Sequence, residues 1–234
     1  KILAASGGVG KGTVWTSIAA GISSGKGTIL NPQETGEPRR VMFFSAEDTV
    51  EEVIKKRLRK NGAIMSNIVT LDMADDRFPR IRIGSRFFEQ LIDRYRPALC
   101  VLDPFQSFID PAAKMSERNQ MRKALAPLQK WATKYGCTFL VVMHCNKMTG
   151  AYGKARISDS ADMWDISRSV LMMGETEEKQ RYISHEKSNY GRLSKTVIFD
   201  IVDGVPVYKE KTDLKDRDYI QLASKAGRET GTSN

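Results

Sequence analysis

The sequence has few of the features that are typical of secreted proteins, membrane-spanning proteins or proteins with a structural zinc site. No apolar run approaches the roughly 20 residues that a membrane-spanning helix needs, and the N-terminus has no signal-peptide pattern. The cysteines are Cys100, Cys137 and Cys145, an odd number without metal-ligand spacing, which argues against a disulfide framework and a structural zinc site. Cys100 and Cys137 lie inside apolar strand-like runs, so we expect buried thiols in a reducing cytoplasm and no membrane association.

Composition and charge describe a single globular domain. The hydrophobic fraction of 41% and the charged fraction of 28% are ordinary for such a chain, and 234 residues suffice for one α/β domain with a substantial core. The net charge of +9 favours binding to a polyanion, but solubility or the Lys and Arg of a nucleotide site would explain it equally well.

The start of the chain carries the strongest functional pattern. Residues 1–6 are typical of the end of a buried strand, and the glycine-rich run after them is typical of a phosphate-binding turn into a helix. Glycines let backbone N–H groups converge on phosphate oxygens, and the helix start adds positive potential. We therefore predict that ATP and Mg²⁺ bind here, on a loop made of Gly7, Gly8, Val9, Gly10, Lys11, Gly12 and Thr13.

Two positions depart from the phosphate-loop pattern G-x-x-x-x-G-K-[ST]. Ala5 stands where the first glycine belongs, and Gly12 stands where the hydroxyl that binds Mg²⁺ belongs. Either Thr13, one place later, takes over the metal contact, or the metal is held more loosely through water. Because the chain starts almost on this pattern, we expect it to be a fragment that lacks an upstream segment and part of its first strand.

Apolar runs alternate with helical patterns along the rest of the chain. This alternation predicts a three-layer α/β domain over residues 1–209, in which helices flank a mostly parallel sheet. Antiparallel edge strands are expected near the C-terminus, at Arg181–Lys187 and Thr196–Val202. Residues 210–234 are highly charged and poor in large apolar side chains, which predicts a weakly ordered tail or linker.

Polar residues follow three predicted strands, at the edge where ligands bind parallel sheets. Asp103 has the position of a carboxylate that holds Mg²⁺, although a strand-end Asp can also simply start a turn at Pro104. Glu47 is placed to deprotonate the water that attacks the γ-phosphate. Asp48 is its rival, and a carboxylate here could instead only stabilise a helix N-terminus. His144 would sense the γ-phosphate, unless it is structural.

Six motifs occur in an order that resembles one family. They are Gly-Gly-Val-Gly-Lys-Gly-Thr (7–13), Phe-Ser-Ala-Glu-Asp (44–48), Val-Leu-Asp-Pro (101–104), His-Cys-Asn-Lys (144–147), Asp-Ser-Ala-Asp-Met-Trp-Asp-Ile-Ser-Arg-Ser-Val (159–170) and Lys-Ser-Asn-Tyr-Gly (187–191). Together they resemble the RecA-like AAA ATPases of the RepA type, the hexameric replicative helicases of plasmids and phages. The similarity runs from Lys1 to about Val207, and the last two motifs make it specific.

The resemblance implies a RecA-like phosphate-loop ATPase core and supports the roles given above. It further implies that Arg168 is an arginine finger, which reaches the site of a neighbouring subunit, and that Lys187 is a second basic group at that junction. From the residues alone, Arg168 could equally be a surface cation at a helix end.

The resemblance also implies a homo-oligomer, a hexameric ring with single-stranded DNA at its centre. The loop after the His144 strand faces this channel in RecA-like rings, so DNA contacts are expected from Lys147, Tyr152, Lys154 and Arg156, unless that loop is only flexible and soluble. The leading interpretation is an ATP-driven replicative helicase. The alternatives are a RecA- or RadA-type recombination or repair ATPase, and a nucleotide-binding switch with little hydrolysis.

Overall fold

A computed structural model describes residues 1–112, 118–146, 150–157 and 161–231. These residues form a nine-stranded sheet in the order β3-β2-β4-β5-β1-β6-β7-β8-β9. The first six strands in that order are parallel, and the last three are antiparallel, as predicted. The strands are β1 Ile2–Ala5, β2 Val41–Ser45, β3 Ile68–Val69, β4 Leu99–Asp103, β5 Thr138–His144, β6 Ser169–Glu175, β7 Arg181–Ser188, β8 Thr196–Val202 and β9 Val205–Thr212.

Helices cover both faces of the sheet, which gives the three layers that the sequence predicts. One core lies between the sheet and the first two helices, and a second core lies under the next three. The helices are α1 Lys11–Ser24, α2 Lys55–Lys60 with a π-helical turn Val50–Ile54 before it, α3 Arg86–Tyr95, α4 Arg118–Tyr135, α5 Ala161–Ile166 and α6 Asp216–Gly231.

The central strands are apolar on every residue because both of their faces are buried. In β2, Phe43 belongs to the core under α1 and contacts Trp15, with ring centroids 5.3 Å apart. The next residue, Phe44, belongs to the opposite core and meets the ring of Phe88 edge-on at 5.5 Å. Since successive side chains of a strand point to opposite faces, a continuous apolar run is what a two-sided sheet requires.

Strand order brings the predicted functional residues to one edge. β2, β4, β5 and β1 are consecutive neighbours, and their carboxyl ends lie side by side. In the parallel registers, Ser45 pairs with Asp103 and Ala5 pairs with His144. The phosphate loop, Glu47, Asp103 and His144 therefore leave the sheet at adjacent strand ends.

The region after Lys209 differs from the weakly ordered tail that its composition predicts. Its residues complete β9 and form α6. Asp216, at the start of α6, is fully buried; it forms an ion pair with Arg156 and accepts a hydrogen bond of 2.8 Å from the hydroxyl of Tyr182. The ring of Tyr219 stacks on Tyr182 at 4.2 Å. The sequence pattern missed this attachment because it depends on buried polar side chains.

The same contact corrects the role expected of Arg156. Its side chain is only 11% exposed, and its guanidinium is paired with Asp216, so it is not a free cation for DNA. Lys154 pairs with Asp165 at 2.7 Å, whereas Tyr152 is 46% exposed beneath Arg217. Lys147 lies outside the described residues.

None of the helices in the described ranges is long and apolar enough to cross a membrane. The three cysteines are free and buried, as predicted for Cys100 and Cys137. Burial raises the pKa of the Cys137 thiol to about 12, so this thiol stays protonated and unreactive near neutral pH.

Candidate functional site

The phosphate loop has the geometry that its glycines predict. Gly8 and Gly10 have φ angles of 80° and 103°, in the left-handed region that favours glycine. Gly10 is the N-cap of α1, and neither a capping side chain nor an acidic residue occupies the first turn of this helix. The N–H groups at the start of α1 are thus left for an anion, and the helix dipole favours one there.

Lys11, His144 and Glu47 form a hydrogen-bonded row across this loop. The ammonium of Lys11 donates to the backbone oxygens of Ala5 and Ser6, at 3.2 and 3.1 Å, and lies 3.2 Å from Nδ1 of His144. Nε2 of His144 lies 3.3 Å from Oε1 of Glu47. Because an ammonium can only donate, Nδ1 accepts and the Nε2–H donates to Glu47. Three of the predicted catalytic residues therefore meet in one place.

Asp103 completes this group from the neighbouring strand. It is 6% exposed, and its Oδ2 accepts a hydrogen bond of 2.6 Å from the indole N–H of Trp15. Burial raises the pKa of the Asp103 carboxyl to about 6; the Trp15 bond and the charge of Lys11 partly counter that rise. Burial lowers the pKa of Lys11, and the negative charges of Asp103 and Glu47 oppose that fall.

Arg57 is a site residue that the sequence analysis missed. Its Nη1 lies 2.6 Å from Oδ2 of Asp48, and 2.8 Å from the point that a Cβ on Gly12 would occupy. The guanidinium thus fills the space that a side chain at position 12 would take. The π-helical turn before α2 sets which residue of the basic run faces the loop, and helical periodicity alone does not reveal such a turn. Asp48 is held by this ion pair, whereas Glu47 contacts His144.

The donors present suit a metal that arrives with phosphate. Among the described residues, no cluster of three or more His, Cys, Asp or Glu side chains could hold a metal ion. Mg²⁺ bound with nucleotides commonly takes one or two carboxylates and completes its shell with phosphate oxygens and water. Asp103 supplies such a carboxylate. Thr13 is buried in the first turn of α1 and is the nearest hydroxyl in sequence to Gly12.

Arg168 and Lys187 do not join the phosphate loop of their own chain. Both lie near the amino end of β6, where Val170 pairs with Ile2, whereas the loop follows the carboxyl end of β1. The Nζ of Lys187 donates to the carbonyl oxygens of Trp164 and Asp165, at 2.7 and 2.9 Å, at the end of α5. Lys187 therefore does not contact the phosphate loop of its own chain, and its expected place at a junction between subunits stays a prediction.

Comparisons with known proteins agree with this geometry. A family model described as an AAA domain matches residues 1–150. Significant structural similarity extends to 292 chains of solved structures. One of them, described as an ATPase domain, has a TM-score of 0.64 and 14% sequence identity, and the match covers 89% of this chain and 84% of that one. At this identity the likeness is one of fold, and it confirms the predicted RecA-like core. No curated protein sequence gave a significant match.

The raised pKa of Asp103 predicts how metal-dependent nucleotide binding varies with pH. Only the ionised carboxylate can hold Mg²⁺ or its bound water, so the affinity gained on adding Mg²⁺ should be nearly complete at pH 7.5. It should fall about tenfold per pH unit below the pKa of about 6. Calorimetric titration with ATP, with and without Mg²⁺, at several pH values measures this gain.

Asp103→Asn is the matched control, because it keeps the shape of the side chain and removes its charge. The γ-phosphate of ATP titrates in a similar range, and this variant retains that contribution. Equal pH dependence in the wild-type protein and the variant would contradict the assignment to Asp103.

Proposed function

The chain belongs to the AAA domain family of RecA-like phosphate-loop ATPases, and we propose that it is the motor domain of a replicative DNA helicase, driven by ATP hydrolysis. The observation that carries this proposal is the row of Lys11, His144 and Glu47 beside Asp103, at the ends of adjacent parallel strands. A cation for phosphate, a base for water and a carboxylate for metal are the groups that hydrolysis of a triphosphate needs.

Hydrolysis would proceed by attack of water on the γ-phosphorus, with cleavage of its bond to the β–γ bridging oxygen. Glu47 accepts the proton of the attacking water, and Lys11 offsets the charge on the β- and γ-phosphates. His144 lies between these two residues, so a movement of its ring when the γ-phosphate leaves would alter its contacts with both of them. Bound Mg²⁺, held by Asp103 through water and by the hydroxyl of Thr13, would neutralise charge on the phosphate oxygens.

The contacts favour Glu47 over Asp48 as the base. The carboxylate of Asp48 accepts a charge-assisted bond of 2.6 Å from Arg57, which holds its Oδ2 on that guanidinium. Glu47 is exposed at the mouth of the site, and its carboxylate contacts the imidazole of His144.

A nucleic-acid partner is supported by the uneven distribution of positive charge. Helix α4 contains five Lys or Arg and no Asp or Glu, against a net charge of +9 for the whole chain. Lys123 and Lys130 are exposed and two turns apart, on one face of this helix, while its apolar face is buried. Such a row of cations suits the phosphates of single-stranded DNA, and exposed Tyr152 offers a ring for base stacking.

A ring of identical subunits, of which we propose six, is supported by the separation of Arg168 from the phosphate loop of its own chain. The exposed Arg168 donates a bond of 2.9 Å to the hydroxyl of Tyr190, which is 75% exposed. These two side chains, with Lys187 nearby, would meet the phosphate loop of the next subunit, so that hydrolysis requires subunit contact. The three free cysteines fit work in a reducing compartment such as the cytoplasm.

One observation favours a second candidate, a nucleotide-dependent switch with little hydrolysis. Gly12 removes the hydroxyl that normally helps to hold the metal, and a weaker metal site slows hydrolysis more than nucleotide binding. The rate of ATP turnover with DNA present separates a motor from a switch. A recombination or repair ATPase shares this core and is distinguished by assembly into filaments rather than rings.

Glu47→Gln should lower ATP turnover by about 10²- to 10⁴-fold and leave ATP affinity within about twofold, because it removes the base and keeps the shape. Steady-state turnover and calorimetric binding measure the two effects. The neighbouring Asp48→Asn is the control and should retain most of the turnover. Normal turnover in Glu47→Gln would exclude this residue as the base.

Arg168→Ala and Lys11→Ala should each be inactive alone, yet regain activity when mixed. In a ring, an intact loop from the first variant can meet an intact arginine from the second, at about a quarter of the junctions in an equal random mixture. Turnover at fixed total protein concentration, across mixing ratios, gives the result. Absence of recovery at every ratio would contradict an arginine acting between subunits.

Reversing charge on α4 should weaken binding to single-stranded DNA and its stimulation of turnover. For Lys123→Glu with Lys130→Glu, the slope of log affinity against log salt should fall in magnitude by about 1.4, since two phosphate contacts to a single strand are lost. Fluorescence anisotropy at several salt concentrations measures this slope. The control is Lys195→Glu with Lys209→Glu, an equal charge change just before β8 and on β9, which should have little effect on DNA affinity. An equal loss of DNA affinity in the two double variants would contradict a binding role for α4 and mean that only net charge matters.

A further inference from the structure

Trp15 makes a contact that the phosphate-loop pattern does not account for. It follows Lys11 by four residues, one turn further along α1, and is 1% exposed. Its ring packs on Phe43 at 5.3 Å, while its indole N–H donates to Oδ2 of Asp103 at 2.6 Å. An indole N–H is a donor only, so it cannot bind a metal but can fix the orientation of a carboxylate.

The contact gains importance from the glycine at position 12. The usual pattern supplies a hydroxyl there for Mg²⁺, and this chain has none. Apart from Thr13, one place later, Asp103 is then the protein group left to face the metal, so the orientation of its carboxylate affects how well the metal is held. The bond restrains the orientation of the carboxylate through Oδ2 and does not involve Oδ1.

We propose that Trp15 is a positioning residue of the magnesium-nucleotide site: its indole N–H orients the Asp103 carboxylate and thereby offsets the loss of the hydroxyl at position 12. This inference rests on the proposed function, because it assumes a metal-bound triphosphate at the phosphate loop. It predicts that the effects of substitutions at positions 12 and 15 on the metal site are energetically coupled.

The test is a double-mutant cycle of Trp15→Phe and Gly12→Ser. Phenylalanine keeps a ring in the core and removes the N–H. A serine side chain at position 12 needs only the far end of Arg57 to move, because Nη1 lies 2.8 Å from the Cβ position. Trp131→Phe is the matched control, since Trp131 is also buried but packs in the opposite core against Phe88.

Calorimetry measures ATP affinity with and without Mg²⁺ for each variant. In Trp15→Phe, the increase in ATP affinity that Mg²⁺ causes should be about tenfold smaller than in the wild-type protein. The ATP affinity without Mg²⁺ should be unchanged. Adding Gly12→Ser should restore most of the gain, whereas Trp131→Phe should change neither quantity.

An unchanged effect of Mg²⁺ on ATP affinity in folded Trp15→Phe would overturn the inference and leave the proposed function intact. Wild-type protein that binds ATP without any Mg²⁺ gain would instead refute the metal site itself. If Trp15→Phe does not fold, the indole N–H resonance of the wild-type protein serves, assigned with Trp131→Phe and Trp164→Phe. The Trp15 resonance should shift when Mg²⁺ is added to the ATP complex, because the indole N–H is bonded to the Asp103 carboxylate; an unchanged resonance would also overturn the inference.

Discussion

Parallel pairing of β2, β4, β5 and β1 is the constraint on which the site depends. Each strand contributes only one or two functional residues, and the register brings them together, with Ser45 beside Asp103 and Ala5 beside His144. Side-chain packing in the two cores fixes that register. A slip of one residue would exchange Phe43 and Phe44 between opposite cores, which these differently shaped cores would not accept.

The charges at the phosphate loop explain why the protein alone makes an incomplete site. Two fixed cations, Lys11 and Arg57, stand near three carboxylates, those of Glu47, Asp48 and Asp103. This set has no surplus of positive charge for a triphosphate. A divalent metal and an arginine from a neighbouring subunit would supply it, and both belong to the function proposed for this chain.

Buried polar contacts determine two features that composition alone does not predict, the attachment of α6 and the burial of Arg156. Asp216 anchors α6 to Arg156 and Tyr182, so a charged segment becomes part of the domain. The same ion pair withdraws Arg156 from the surface. In both cases a charged residue that looks solvated in the sequence is paired in the interior, where an unpaired charge would cost several kcal/mol.

Local patterns in the chain were enough to predict the phosphate loop, the three-layer parallel fold and the edge where Glu47, Asp103 and His144 meet, because apolar runs and strand ends imply a common geometry. Packing between distant elements accounts for the rest: Arg57 fills the space beside Gly12, Trp15 holds Asp103, and Lys187 binds the end of α5 instead of reaching its own loop. These contacts join residues from separate elements through side-chain direction and a single π-helical turn. No local pattern encodes them, since each depends on how two independently predictable elements pack.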